Sequence, residues 1–191
     1  LETKGLLMAY KTSQAEKEEA EVVAQAKDLG LKIDHLSTKE VLKKQPQAPM
    51  DIAGAYWYES DAHSTPEVFM ENMIGVLKDA GVNFLLEKEV SHFKTKGSSI
   101  TSVCTLQEEI QSDEVVIASG AWSEPLLKAL GIQLSVQAGK CYRINTSQPT
   151  GITLPALLLE AKVAVTPMQG FTRFGGTMEL SGINHKINTK R

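Results

Sequence analysis

The segment Val115-Val116-Ile117-Ala118-Ser119-Gly120-Ala121-Trp122-Ser123 has the best credentials for chemistry in this sequence. A continuous apolar run reads as a strand buried on both faces, as in a parallel sheet. Small residues follow it, and then a helix begins. Small residues at the carboxyl end of such a strand let backbone approach a ligand closely, and ligands bind at such strand ends. A tight turn with no ligand satisfies the same residues, so both readings stand at this level. Elsewhere the chain is poor in reactive constellations. Cys104 and Cys141 show neither metal spacing nor a disulfide framework. His35, His92 and His185 are isolated and read as structural or surface residues. His63 lies in a loop, where packing is the simpler role. Arg173 could reach an anionic ligand, although an exposed strand position or a local ion pair accounts for it as well. The Tyr56-Trp57-Tyr58 cluster reads as core or interface packing.

The bulk properties exclude several classes. A net charge of -3 and a pI of about 5.9 leave no electrostatic footprint for nucleic acid or an anionic membrane. No apolar stretch is long enough to span a bilayer. Hydrophobic residues make up 42% of the 191, enough to bury a sizeable core. Two cysteines without a disulfide framework favour a cytoplasmic setting, and peripheral attachment of the whole protein to the inner membrane stays open.

Local signals place the elements. Gly5 to Tyr10 is strand-like. Ser13 and Glu16 have capping-box spacing before a helix that ends at Leu29–Gly30. Ser37 and Glu40 repeat that spacing before a short helix. Ile52 to Tyr58 reads as a strand. Pro66 opens a helix whose face carries Phe69, Met70, Met73, Ile74 and Leu77, with Met70 and Met73 as core. Val82 to Leu86 reads as a strand, and 90 to 106 as a hairpin or meander around Gly97. After Gly120, Ser123 reads as a helix cap, with that helix ending at Gly131. Strands follow at 140–145, 156–160, 163–166 and 171–180. The predicted class is α+β, mostly an antiparallel mixed sheet with flanking helices, plus one strand–turn–helix of a different character.

Several stretches together carry a resemblance. The Ala-Ser-Gly-Ala-Trp-Ser turn, the strand, loop and helix from Ile52 to Pro66 and beyond, Gly139-Lys140-Cys141-Tyr142, and Ala161 to Gly182 occur in one order. Val-Ala-Val-Thr-Pro-Met and Arg-Phe-Gly-Gly-Thr-Met-Glu are the most specific of these motifs. The chain resembles the FAD-dependent D-amino-acid oxidase and glycine oxidase family, with the D-amino-acid dehydrogenase branch as the best fit. That resemblance implies an enzyme that oxidises an amino acid, of either enantiomer at this level, to an imino acid, which hydrolyses to keto acid and ammonia. Flavin then carries the hard step, which suits a sequence without a nucleophile or an acid–base pair.

The resemblance also implies roles. Val90 would touch the adenine half of FAD through its backbone, and Gly120, Ala121 and Trp122 would face the flavin. Tyr142, Ala164 and Met178 would lie on the substrate side. The glycine oxidase branch has a tyrosine where this chain has Ala164, so glycine specificity is not expected. None of the 14 glycines forms the Gly-x-Gly-x-x-Gly loop that holds the FAD pyrophosphate at a helix end. The chain therefore reads as the middle of a longer protein: 1–112 substrate-side with the meander near 90–112, 113–131 from the FAD domain, and 132–191 substrate-side again. Residues 1–191 alone are expected to be inactive and to lack FAD. The unpaired strand 115–118 is expected to invite self-association. Two other readings fit the same residues: a non-catalytic α+β binding module, and the same fold acting on sarcosine or another secondary amine.

Overall fold

Strand β1 (Leu6–Tyr10) alternates its side chains between two apolar environments and is paired along both edges. On one side runs the antiparallel β3 (Gly54–Tyr58). On the other runs the parallel β8 (Ala156–Leu158). β2 (Ile33–Ser37) pairs with β3, and β9 (Val163–Met168) with β8 and with β10 (Phe171–Glu179). With β7 (Lys140–Thr146) the seven strands lie in the order β2-β3-β1-β8-β9-β10-β7. The computed structural model describes residues 1–189. The sheet is mixed and mainly antiparallel, and with its helices it gives the expected α+β class.

Registration sorts the core into two faces. Leu7, Ala9, Leu36, Ala55 and Ala156 share one face with Val41 of helix α2 (Thr38–Lys44). Tyr10, Ile33 and Tyr56 share the other with Val23 of helix α1 (Ser13–Asp28). Apolar burial at these positions supplies the drive, at about 25 cal/mol per Å². Polar anchors then fix the loops. The buried Gln45 side chain accepts from the backbone N–H of Thr153 (3.0 Å) and Leu154 (2.9 Å).

The start of α1 differs from the expected capping box. Thr12 is the cap, and its Oγ1 accepts from the Ala15 N–H (3.2 Å). Glu16 instead receives the Tyr10 hydroxyl (3.1 Å). The carboxylate at the helix entrance is Glu160, which accepts from the backbone N–H of Lys11 and Thr12 (2.9 Å each). A remote carboxylate wins because the turn between β8 and β9 brings it to the positive end of the helix. At α2 the expected device forms: Glu40 accepts from the Ser37 N–H (2.8 Å) and Ser37 hydroxyl (2.6 Å).

The chain divides into two compact units, one of Leu1–Ile74 with Cys141–Met178, the other of Gly75–Lys140 with the segment from Glu179 onward. The second unit contains the meander β4 (Val90–Lys96), β5 (Ser99–Thr105) and β6 (Glu109–Gln111), which turns at Gly97 with φ +64°. It also holds the helix α4 (Ser123–Lys128), which begins at Ser123 with Trp122 as its cap and ends short of Gly131.

Three expectations meet the same lack of partners: two strands do not form and a helix face is not core, while the unpaired state expected of 115–118 is what is found. Val115–Ala118 and Val82–Leu86 form no ladder with any described residue, and Val116 is 88% exposed. Helix α3 (Pro66–Asp79) forms as expected but buries none of its residues, so Phe69, Met70, Met73 and Ile74 are exposed and not core. A strand is defined by its partner and an amphipathic face by what covers it. No described residue supplies either.

The Glu160 carboxyl is held down to about 2 from its ordinary 4.5, chiefly by the Lys11 N–H, with the Thr12 N–H and hydroxyl adding to it. A depressed folded value stabilises the fold above pH 4.5, and the contribution fades as pH falls toward 2. Glu160→Ala should therefore cost about 1 kcal/mol, the usual scale for a helix cap, at pH 7. The cost should shrink below pH 4.5 and largely vanish only at about pH 2. Urea unfolding at the two pH values checks both.

Candidate functional site

The residues expected to hold the cofactor all fall in the second unit, and those expected to face substrate all fall in the first. Val90 opens β4 and is half-buried. β4 is an edge strand, so one side of its backbone is not engaged by the meander. The register also shifts between Val90 and His92, where the Ser91 hydroxyl donates to the Cys104 carbonyl (3.0 Å). Such a bulge takes backbone groups out of the ladder.

Gly120, Ala121 and Trp122 form a 3-10 turn leading into α4. Gly120 has φ +56°, a conformation that glycine adopts at low cost, and a Cβ there would meet nothing within 4 Å. The hydroxyls of Ser119 and Ser123 lie 3.1 Å apart and close the turn. Trp122 is 56% exposed. An uncrowded left-handed turn, an exposed indole and a free strand edge suit a flat aromatic ligand with backbone contacts. They fit part of an FAD molecule. No described segment supplies a glycine-rich helix start for its phosphates.

In the first unit, Ala164 of β9 lies directly across from Gly175 of β10 and from Leu157 of β8. Thr166 and Arg173 form the next pair on the same face. Arg173 is 12% exposed at its side chain, and its guanidinium donates to Asn145 Oδ1 (3.0 Å) and to Glu67. Arg143 approaches the same carboxylate at 3.8 Å. Arg173, with Arg143 adding to it, holds the Glu67 carboxyl below its usual range. Arg173 is thus a fixed structural cation, as the ion-pair reading has it. Tyr142 is half-buried on β7. Met178 on β10 is 65% exposed, one residue beyond Thr177 with φ +52°.

The other candidates sort by environment. His35 stacks on Tyr56 with ring centroids 4.7 Å apart, and its Nε2 lies 2.6 Å from the Tyr10 hydroxyl. Burial, and then the bond to Glu16, push the Tyr10 hydroxyl up to about 12. His63 is 9% exposed at its side chain, and its Nε2 lies 3.9 Å from Glu2 Oε2. Trp57 carries the Lys44 ammonium 3.2 Å above its ring. Cys104 is buried and Cys141 exposed, both as free thiols. Among the described residues no three potential ligands cluster for a metal, and no helix is long and apolar enough to cross a membrane. Glu67, Asn145 and Gly175 escaped the sequence reading. Only Gly175 left a signal, inside the Arg-Phe-Gly-Gly-Thr-Met-Glu run.

Comparison with known proteins gives one consistent family. The profile described as FAD dependent oxidoreductase matches residues 1–191. A D-amino acid dehydrogenase from Vibrio vulnificus (strain CMCP6) is 27% identical over 199 residues, covering 98% of this chain and 46% of that protein. The Helicobacter pylori D-amino acid dehydrogenase is 28% identical over 158 residues, covering 82% and 38%. The chain thus spans about half the length of the curated relatives it matches. Among solved structures, glycine oxidase from Bacillus cereus superposes with a TM-score of 0.86 at 20% identity, over 99% of this chain and 52% of that one. L-proline dehydrogenase from P. horikoshii gives 0.83 at 17%, over 98% and 52%. At such identities the structures establish a shared fold.

The Arg173 cluster should behave as one unit. Arg173→Ala is expected to lower the melting temperature by roughly 4 °C, and the double change with Glu67→Gln to cost less than the sum of the two single changes. Thermal unfolding of the four proteins checks this.

Proposed function

The chain belongs to the FAD-dependent oxidoreductase family, and from that premise we propose that the whole protein oxidises a D-amino acid at the carbon bearing the amine. Bound FAD supplies the two-electron acceptor for that step. The imino acid so formed takes up water and yields a keto acid and ammonia. The observation that carries this reading is the family match along all 191 residues, with cofactor and substrate candidates sorted into separate units. The names of the relatives support the D-amino acid.

This chain's own residues would position and shield. The Gly120 turn presents backbone without a side chain, so a planar ring can approach closely. The edge of β4 at Val90 offers main-chain groups to the adenine half. Ala121 and Trp122 would line the flavin side of the turn. Tyr142, Ala164 and Met178 would line the substrate side of the large sheet. The pyrophosphate needs a helix amino terminus with free N–H groups. Residues 1–191 contain no glycine-rich loop for it, so this segment alone would hold FAD weakly and turn over nothing.

The test uses the full-length protein. An absorbance scan should show bound flavin, and D-amino acids should bleach it without oxygen. A full-length protein without flavin would sink the proposal. Gly120→Val should lower the flavin content about tenfold, since it adds both strain at φ +56° and bulk at the turn. Flavin released by heat and measured per mole of protein gives the number.

A further inference from the structure

We infer that the face of the large sheet opposite Ala164 carries a binding pocket for a neutral, largely apolar ligand with one carbonyl acceptor, and that the side-chain amide of Gln45 donates to that acceptor. The pocket has a volume of about 430 Å³ and is built wholly from residues of the first unit. Small-molecule sites usually fall between roughly 300 and 1,000 Å³. Ala156, Val165 and Phe174 form one row of its floor across β8, β9 and β10, and Ala9 of β1 lies beside them. Met50 and Ile152 come from loops and wall it. Alanine at both 9 and 156 keeps the floor low, so the space between the loops stays open.

One buried polar group lines this apolar space. Gln45 is 2% exposed, and its Oε1 is already taken by the N–H groups of Thr153 and Leu154. Two N–H donors on that atom fix it as the oxygen, so the other end of the amide is the donor. Nε2 thus keeps two N–H groups for which no described residue is an acceptor. Buried donors are almost always satisfied, because an unmet one is costly. Water answers the need poorly here, since a buried water wants about 2–4 polar partners and the floor and walls are hydrocarbon. A carbonyl on an apolar ligand answers it well. The mouth selects against charge. Lys11 Nζ lies 2.5 Å from Asp51 Oδ2, and Glu160 stands at the same rim, so one cation meets two carboxylates. An anionic ligand would be repelled there and a neutral one would not.

The experiment titrates full-length protein by calorimetry and reads binding, so it does not depend on the oxidation proposed above. The probes are n-butylbenzene and butyrophenone, which share a skeleton except that butyrophenone carries a carbonyl. Each should bind saturably at one site per chain, butyrophenone about tenfold tighter. The anion 4-phenylbutyrate should bind at least about tenfold more weakly than butyrophenone. Gln45→Glu keeps an acceptor for Thr153 and Leu154 but replaces the donor with a second carboxylate oxygen. It should erase the preference for butyrophenone and leave n-butylbenzene bound, a split that a purely structural Gln45 would not produce. Met50→Trp adds bulk from a loop and should abolish binding of both probes. Melting temperature reports whether each variant is intact; if Gln45→Glu does not fold, the wild-type preferences and Met50→Trp decide. Wild type that binds neither probe overturns the inference, because the rest of the chain or a second copy then fills the pocket. Equal affinity for the two probes, a preference that survives Gln45→Glu, binding that survives Met50→Trp, or 4-phenylbutyrate as tight as butyrophenone overturns it as well.

Discussion

Everything in the first unit hangs on the two-sided pairing of β1. Its neighbours come from residues 54–58 and 156–158, so closing this ladder draws together parts of the chain separated by about half its length. Alternation along five residues then fixes which face each neighbour presents. Leu7 and Ala9 go to one face and Met8 and Tyr10 to the other, and a slip of one residue would exchange the two sets. The same register, carried through β8 to β9 and β10, puts Ala164 beside Gly175.

Charged and amide side chains from remote loops lock what burial brings near. Glu160 closes the entrance to α1, Gln45 holds the segment leading to β8, and Glu67 pins Arg173. Each satisfies backbone or guanidinium donors that would otherwise lie unpaired. None of these contacts is local in sequence. They depend on the sheet's register, which brings those remote loops together.

Apolar patterning alone did not secure every element. Val115–Ala118 has the composition of a doubly buried strand and yet pairs with nothing described. The Pro66–Asp79 helix shows the reverse, since its backbone bonds are internal and it folds with its apolar face exposed. Helices satisfy their own hydrogen bonds, whereas strands borrow a partner's. The 115–118 segment and the bare helix face both lack a partner among the described residues. The proposed nucleotide-binding half of the protein would supply one.

Sequence by itself determined the class, most helices, the hairpin at Gly97 and, apart from β2 (Ile33–Ser37), which the sequence reading missed, the large-sheet strands, because capping pairs, prolines, glycines and alternation act over a few residues. It also pointed to the family through short motifs, and to Gly120 and Ala164 as positions worth watching. Tertiary structure alone decided that Thr12 and Glu160, not Ser13 and Glu16, begin α1. It decided too that Arg173 is spent on Glu67, and that Ala164 faces Gly175 across a strand pair. Those outcomes depend on register between distant segments, and register is a property of the assembled sheet that no local pattern encodes.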